Sequence, residues 1–377
     1  MSTLRIAFYC NLMGWPKKSG GGVRQWVLAL ANGLVERGHA VDILTEAPPQ
    51  HFRDEPRLDP RVGRVVLGAR GWRATRALDR YLREHPGVRL VGALNDFNLG
   101  AARAKHRFGP AVQVMLTQHE NLSGDGVWRK RFKYWRLGRA VRREFARADS
   151  VVCVSRGVAD DLRDHFGVPP PLLHPIYNPA FSEAFVEGMD AAVEHPWLQE
   201  KTLPVIVAVG RLHPVKGFDD LLRAFALLRA RRPARLIILG EGRSRAALEA
   251  QVTTLGLQDA VQLPGRVENV AAWMARSDLF ALSSHAEGFG NALVEALAAG
   301  LPIVATRCPS GPAEILEEGR WGQLVPVGDA AAFADALAQQ LDAPPPDREA
   351  QRARAREFSL DAALEHYLAL WALPPRA

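Results

Sequence analysis

The stretch PVIVAVGRLHPVKGFDDLLRAF, residues 204–225, decides the fold. Its opening PVIVAV is apolar throughout, without the polar–apolar alternation of a half-exposed strand, so it reads as a strand buried on both faces of a sheet. A glycine, two cations and two further glycine or proline positions follow. From Phe218 the apolar residues recur at helical spacing as far as Arg231. A buried strand, a short polar loop and a helix make half of a βαβ unit, and such units build parallel sheets with helices on both faces.

Working outward, the unit repeats. Downstream, strands are expected at Arg235–Leu239, Leu279–Ser283 and Leu301–Thr306, with helices at Ser244–Leu255 and Ala292–Ala299, the latter closed by Gly300. Upstream, Pro179, Pro196 and Pro204 interrupt the alternation and mark a boundary region. Before it the pattern runs again, with strands at Leu4–Cys10, Ala40–Thr45, Arg64–Gly68, Arg89–Leu94, Ala111–Thr117 and Ser150–Ser155. A helix opens at Gly20–Gly22 and runs to Arg37, where Gly38 ends it. After the break at Ala343–Pro346, the apolar positions Leu360, Leu364, Tyr367, Leu368 and Trp371 predict a last helix over 359–371. The expectation is an α/β chain of two Rossmann-like, doubly wound domains. Open sheets of this kind bind ligands at the carboxyl ends of their strands.

Composition narrows the class. The chain has 377 residues, 47% hydrophobic and 24% charged, enough apolar content for two cores and too much for disorder. Cys10, Cys153 and Cys308 form no CxxC pair, which excludes a disulfide scaffold and argues against a zinc site. No run of 18 apolar residues occurs, and MSTLRIAFYCNLMGW lacks the pattern of a signal peptide, so the expected location is the cytoplasm. The net charge of +7 is concentrated: residues 128–149 hold nine Lys or Arg against two acids, and the remainder balances. Residues 1–185 are net +12 and residues 186–377 net −5, unlike a uniformly basic nucleic-acid binder.

Two motifs carry chemistry. In GRLHPVKGF, Arg211 and Lys216 follow a strand and precede a helix N-terminus, which together suit a diphosphate. Taken alone, the pair also fits two surface cations in a βα loop. In EGFGNALVE, residues 287–295, Gly288 and Gly290 let backbone approach a ligand, and backbone N–H groups near Asn291 can meet oxygen atoms. Glu287 in the loop and Glu295 in the helix are placed to hold hydroxyl groups. Glu295 alone reads better as an ordinary helix carboxylate.

These residues, with GRLHPVKGFDDLLRAF, ILGEG, PGRVENV, EGFGNALVEALAAGLPIVAT and GPAEIL, resemble the retaining family 4 glycosyltransferases of the GT-B fold. The likeness is strong over 204–330, looser over 1–45, and between them limited to the order of elements. The resemblance implies an acceptor-binding domain at 1–180, a linking region at 181–203, a nucleotide-sugar donor domain at 204–357, and a helix at 358–377 packing back on the first domain. It implies that Arg211 and Lys216 bind the donor diphosphate. Glu287, aided by backbone from Gly288 through Phe289 and Gly290 to Asn291, would contact the transferred sugar. Glu295 would contact the ribose, and Arg266–Val267 would lie by the base. Gly21 and Gly22 would approach the diphosphate and acceptor, and His119 would face the acceptor side. The catalytic set implied is Glu287, His119, Lys216 and Arg211.

No D-x-D pair occurs in the sequence, so neither a metal nor any cofactor beyond the nucleotide-sugar co-substrate is expected. The two cations offer a metal-free way to stabilise the leaving diphosphate. The inferred reaction is retaining transfer of a hexose or N-acetylhexosamine from a UDP- or GDP-sugar.

The basic segment reads as a helix. Tyr134, Leu137, Val141, Phe145 and Ala148 form a core stripe, while Trp128, Phe132 and Trp135 lie opposite among Arg129, Arg131, Arg136 and Arg139. Aromatics among cations suit an anionic membrane surface, and Trp72 with Arg70, Arg73, Arg76, Arg80 and Arg83 extends it. The expected partner is then a lipid-linked or cell-envelope glycan acceptor, as in bacterial lipopolysaccharide or exopolysaccharide synthesis, met on the inner face of the cytoplasmic membrane. The rivals are a solvated Arg-rich helix, a soluble acceptor, a GT-B epimerase, an inactive scaffold and, last, a nucleic-acid binder.

Overall fold

The computed structural model describes residues 3–12, 21–46, 55–68, 71–123 and 131–376, without the side chains of 131–136. Its contacts divide the chain into two compact units, Met1–Pro179 with Leu360–Ala377, and Ala180–Ser359.

The first unit is a seven-stranded sheet of β1 (Arg5–Tyr9), β2 (Ala40–Thr45), β3 (Gly63–Val66), β4 (Arg89–Ala93), β5 (Gln113–Gln118), β6 (Ser150–Cys153) and β7 (Leu173–Pro175). The order is β3-β2-β1-β4-β5-β6-β7, and every pairing is parallel. The second is a six-stranded sheet of β8 (Val205–Val209), β9 (Arg235–Leu239), β10 (Val261–Gly265), β11 (Leu279–Leu282), β12 (Ile303–Thr306) and β13 (Gln323–Val325). Its order is β10-β9-β8-β11-β12-β13, again all parallel. The inner strands β4, β9 and β11 are buried beyond their first residue because helices cover both faces, which is why their sequences show no alternation.

Three strands absent from the sequence reading, β7, β10 and β13, are all sheet edges. β7 and β13 are three residues each, and β10 carries Pro264 and a register shift between Gln262 and Gly265. An edge strand is half-exposed and tolerates proline, so the apolar run that betrays an inner strand is missing.

Residues 181–203, expected as a connecting region, form part of the body of the second unit. They hold short helices at Glu183–Gly188 and Pro196–Gln199. Asn269 Nδ2 donates to the Gly188 carbonyl at 2.7 Å, Arg276 Nη1 donates to that of Met189 at 2.9 Å, and the His195 imidazole meets Gln262 Oε1 at 2.7 Å. These side-chain contacts fix a stretch whose own sequence shows only prolines.

The helix Leu360–Ala372 belongs to the first unit. It packs on the helix Gly22–Glu36, where Gly33 leaves room: a Cβ there would lie 2.8 Å from a methyl of Leu360. Trp26 Nε1 donates to the Tyr367 hydroxyl at 3.2 Å, and Tyr367 and Trp371 are fully buried. Aromatics of this size dominate the packing of a core. Trp371→Ala is therefore expected to cost ~3–5 kcal/mol, read as a lowered denaturant midpoint for the first unit; an unchanged midpoint would contradict the packing.

Candidate functional site

The sequence-predicted residues fall into two groups, one in each unit. In the second sheet the strand order reverses between β8 and β11. Crossover helices leave that point on opposite faces, so a crevice opens at the carboxyl ends of the two strands. The loop after β8 carries Arg211, which is exposed, and Lys216; the loop after β11 carries Glu287. Lys216 Nζ donates to Glu287 Oε1 at 2.5 Å, with the side chains 21% and 9% exposed.

The two loops are fastened to each other. Ser283 Oγ donates to the Lys216 carbonyl at 2.9 Å, and the His285 backbone N–H donates to that of Val215 at 2.8 Å. The His285 imidazole meets Asp220 Oδ2 at 2.5 Å. Gly217 adopts φ +59°, and a Cβ there would sit 2.1 Å from the Ser283 carbonyl oxygen, so only glycine permits this approach. A further donor, Ser284 Oγ, reaches Glu287 Oε1 at 2.6 Å.

Glu287, Gly288, Phe289 and Gly290 then lead into the helix Asn291–Ala299. Phe289 is buried and meets Phe358 edge-on with ring centroids 5.4 Å apart, so the loop rests on core packing. Glu295 lies in the second turn. It keeps some accessible surface, yet protein surrounds its carboxyl, and burial pushes its pKa up to about 7. Arg266, exposed, and Val267, half-buried, follow the edge strand β10. They stand two strands from β8, across the Gly240–Gly242 turn, whose backbone packs on that of Gly210 and Leu212.

Asp219, Asp220 and His285 offer three ligand atoms within 4.8 Å of one another, the one such group among the described residues. Arg223 pairs with both aspartates, so a guanidinium already supplies their countercharge.

In the first unit, Gly21 caps and Gly22 begins the helix that follows β1, and His119 follows β5. Trp26, one turn along that helix, meets the His119 ring at 4.8 Å and 73°, which brings the two features together. Thr117 Oγ1 donates its single proton to the Gly92 carbonyl at 2.8 Å, so its 3.0 Å contact with His119 Nε2 requires the proton to be on that nitrogen. Nδ1 is left as an acceptor, buried and without a partner. Burial pushes the imidazole pKa down to about 3, so His119 stays neutral at physiological pH.

In the basic segment the helix runs Arg131–Phe145; of the expected core stripe, Val141, Phe145 and, just beyond the helix, Ala148 are fully buried, Leu137 is half-buried, and the side chain of Tyr134 lies outside the described residues. Arg139 is exposed. Trp128 and Arg129 lie outside the described residues, as do the side chains of Arg131, Phe132, Trp135 and Arg136. Sequence reasoning passed over Ser283, Ser284, Thr117 and Trp26. The signal available was a pair of hydroxyl residues closing the strand LFALSS, and a threonine two positions before the histidine.

The Glu295 carboxyl gives a pH test. An unfolded glutamate titrates near 4.5 and the native one near 7, so between those values the folded state holds the extra proton. Its contribution to stability is full below pH 4.5 and lost as pH rises through about 7. Glu295→Gln is expected to flatten the fall in melting temperature over that window; an unaltered slope would refute the assignment.

Comparison with known proteins agrees with this architecture. A family model for "Glycosyl transferases group 1" matches residues 203–343, and one for "Glycosyltransferase Family 4" matches residues 20–180. The lipopolysaccharide core biosynthesis glycosyltransferase LpsE of Rhizobium meliloti is 32% identical over 251 residues, 65% of this chain and 71% of the relative. N-acetyl-alpha-D-glucosaminyl L-malate synthase of Bacillus anthracis is 24% identical over 353 residues, 90% and 87% of the two chains. Among solved structures, Anabaena HepE in complex with UDP superposes with a TM-score of 0.79 at 20% identity, covering 98% of this chain and 100% of the other. Sucrose-phosphate synthase of Thermosynechococcus elongatus superposes at 0.81 with 19% identity, covering 98% of each. The chain belongs to glycosyltransferase family 4 and has the GT-B fold.

Proposed function

We propose that this glycosyltransferase is a retaining, metal-independent enzyme that moves a hexose or N-acetylhexosamine from a UDP- or GDP-sugar to a lipid-linked or cell-envelope acceptor. The observation that carries the reading is the meeting of Lys216 and Glu287 where the second sheet reverses. A cation and a carboxylate share one crevice there, beside a helix N-terminus. Lys216 and Arg211 are placed to neutralise charge growing on a leaving diphosphate, and Glu287 to hold sugar hydroxyls as the ring turns oxocarbenium-like. The anomeric carbon–phosphate oxygen bond breaks, the acceptor oxygen bonds to that carbon on the same face, and the phosphate oxygen takes the acceptor's proton. Neutral His119 is assigned to the acceptor side as a hydrogen-bonding group rather than a proton donor. Gly21 and Gly22, at the start of the helix Gly22–Glu36, are assigned as backbone contacts to the diphosphate and acceptor. Glu295 is assigned to the ribose and Arg266–Val267 to the base. HepE was crystallised with UDP and with UDP-glucose, so UDP-sugars are the first donors to try.

Lys216→Ala and Arg211→Ala are each expected to lower kcat by ~100-fold or more, since each removes preorganised positive charge; the melting temperature should hold in Arg211→Ala, at an exposed residue, and fall in Lys216→Ala, which leaves the Glu287 carboxylate buried without its cation. Turnover near that of the wild type in either would refute the site. UDP or GDP, binding only the native state, should raise the melting temperature of the wild type.

The acceptor side draws on the helix Trp72–Glu84. Trp72 is 62% exposed, with the guanidinium of Arg76 4.8 Å and that of Arg73 5.4 Å from its ring centroid. Arg80 and Arg83 continue the exposed face, and Ala74, Leu78, Tyr81 and Leu82 bury the other. Cations around an exposed indole suit the interface of an anionic bilayer on the cytoplasmic side. Among the described residues no helix is long and apolar enough to cross a membrane. Wild-type protein should co-sediment with anionic but not neutral liposomes, and Trp72→Ala should weaken it. Failure to bind both kinds would favour a soluble acceptor.

A further inference from the structure

The Lys216–Glu287 pair raises a question about the donor complex. A diphosphate brings more negative charge to Lys216 than one carboxylate does, so when donor binds the ammonium must share or leave Glu287. A carboxylate held by Lys216 alone would then be free to rotate as the sugar arrives. The second donor to Glu287 Oε1, the Ser284 hydroxyl at 2.6 Å, has no such competitor.

Ser284 is built to stay still. It is 1% exposed, two residues beyond the end of β11, and its carbonyl accepts from Thr306 Oγ1 at 2.5 Å. Thr306 is itself buried and ends the neighbouring strand β12, so the anchor reaches across two strands of the sheet. The preceding residue, Ser283, ties the same strand end to the Lys216 carbonyl. Lys216 and Ser284 both reach Oε1, and the trigonal geometry of a carboxylate then directs Oε2 away from them. Losing the ammonium leaves one short hydrogen bond to a charged acceptor, the stronger kind, in a fixed place.

We infer that Ser284 is a positioning residue for sugar transfer: its hydroxyl holds the Glu287 carboxylate in register with the donor sugar after Lys216 has turned to the diphosphate. The inference rests on the donor site proposed above. It separates two functions that the resting ion pair merges. Lys216 belongs to the nucleotide end of the donor, and the Ser284–Glu287 pair belongs to the sugar end.

The test compares wild-type protein with Ser284→Ala and Ser284→Thr, measuring kcat and donor KM with the nucleotide sugar the wild type accepts, Kd for UDP or GDP alone, and melting temperature. Ser284→Ala is expected to lose about 10- to 100-fold in kcat, the loss of a hydrogen bond to a charged group. Its donor KM and its nucleotide Kd should stay within about twofold, because the groups facing the diphosphate are untouched. Ser284→Thr keeps the hydroxyl and should recover most of kcat. Full kcat in Ser284→Ala, or a loss in which nucleotide affinity and melting temperature fall together, overturns the assignment. A wild-type protein that binds neither UDP nor GDP overturns the donor-site reading itself, an outcome distinct from an active wild type whose Ser284→Ala variant is equally active.

Discussion

The packing of the Gly217 backbone against the Ser283 carbonyl is the contact on which the rest of the second unit's site depends. Two loops from strands that are distant in sequence but adjacent in the sheet must nearly touch before Lys216 and Glu287 can pair. The sheet supplies the adjacency by reversing its strand order between β8 and β11. The absent side chain at Gly217 supplies the last few ångströms, and the hydrogen bonds from Ser283 and His285 hold the approach. Burying an ion pair against its hydration is favourable only with good geometry and additional hydrogen bonds. Here the sharing of Glu287 Oε1 between ammonium and hydroxyl provides them.

The two groups of residues, one in each unit, show what a family 4 transferase can leave to the fold and what it must specify by side chain. Position at the carboxyl end of β8 or β11 follows from the parallel sheet alone. The charge of Lys216, the carboxylate of Glu287 and the proton on His119 Nε2 do not. The last is fixed by Thr117, whose only proton is already given to the Gly92 carbonyl. A neutral ring with a defined acceptor face is thus obtained from burial and one neighbouring hydroxyl.

Much of this was legible in the sequence, and the parts that were not share a physical cause. Inner strands such as β8, with VIVAV, were readable because burial on both faces demands an unbroken apolar run. The edges β7, β10 and β13 carry no such demand and left no such trace. Arg211, Lys216 and Glu287 stood out as charges beside glycines just past a strand end, whereas Glu295, inside the helix Asn291–Ala299, stood out only through the family motif. Ser283 and Ser284 did not, since a serine at a strand end is ordinary until the sheet sets a lysine carbonyl and a carboxylate beside it. Residues 181–203 looked like a connection because their ties to Gln262, Asn269 and Arg276 are formed by side chains far along the chain.

The aromatic contact between Trp26 and Tyr367 has a consequence for synthesis. Domains generally fold as units, earliest first, while the chain emerges. The first unit cannot follow that order to completion, because the helix Leu360–Ala372 that covers its Gly22–Glu36 helix leaves the ribosome after the whole of the second unit. Until then the indole of Trp26 and the groove at Gly33 stand uncovered in an otherwise assembled parallel sheet. The second unit, continuous from Ala180 to Ser359, has all its parts first. The nascent chain thus completes its second unit while the first still exposes the apolar face that the helix Leu360–Ala372 will cover.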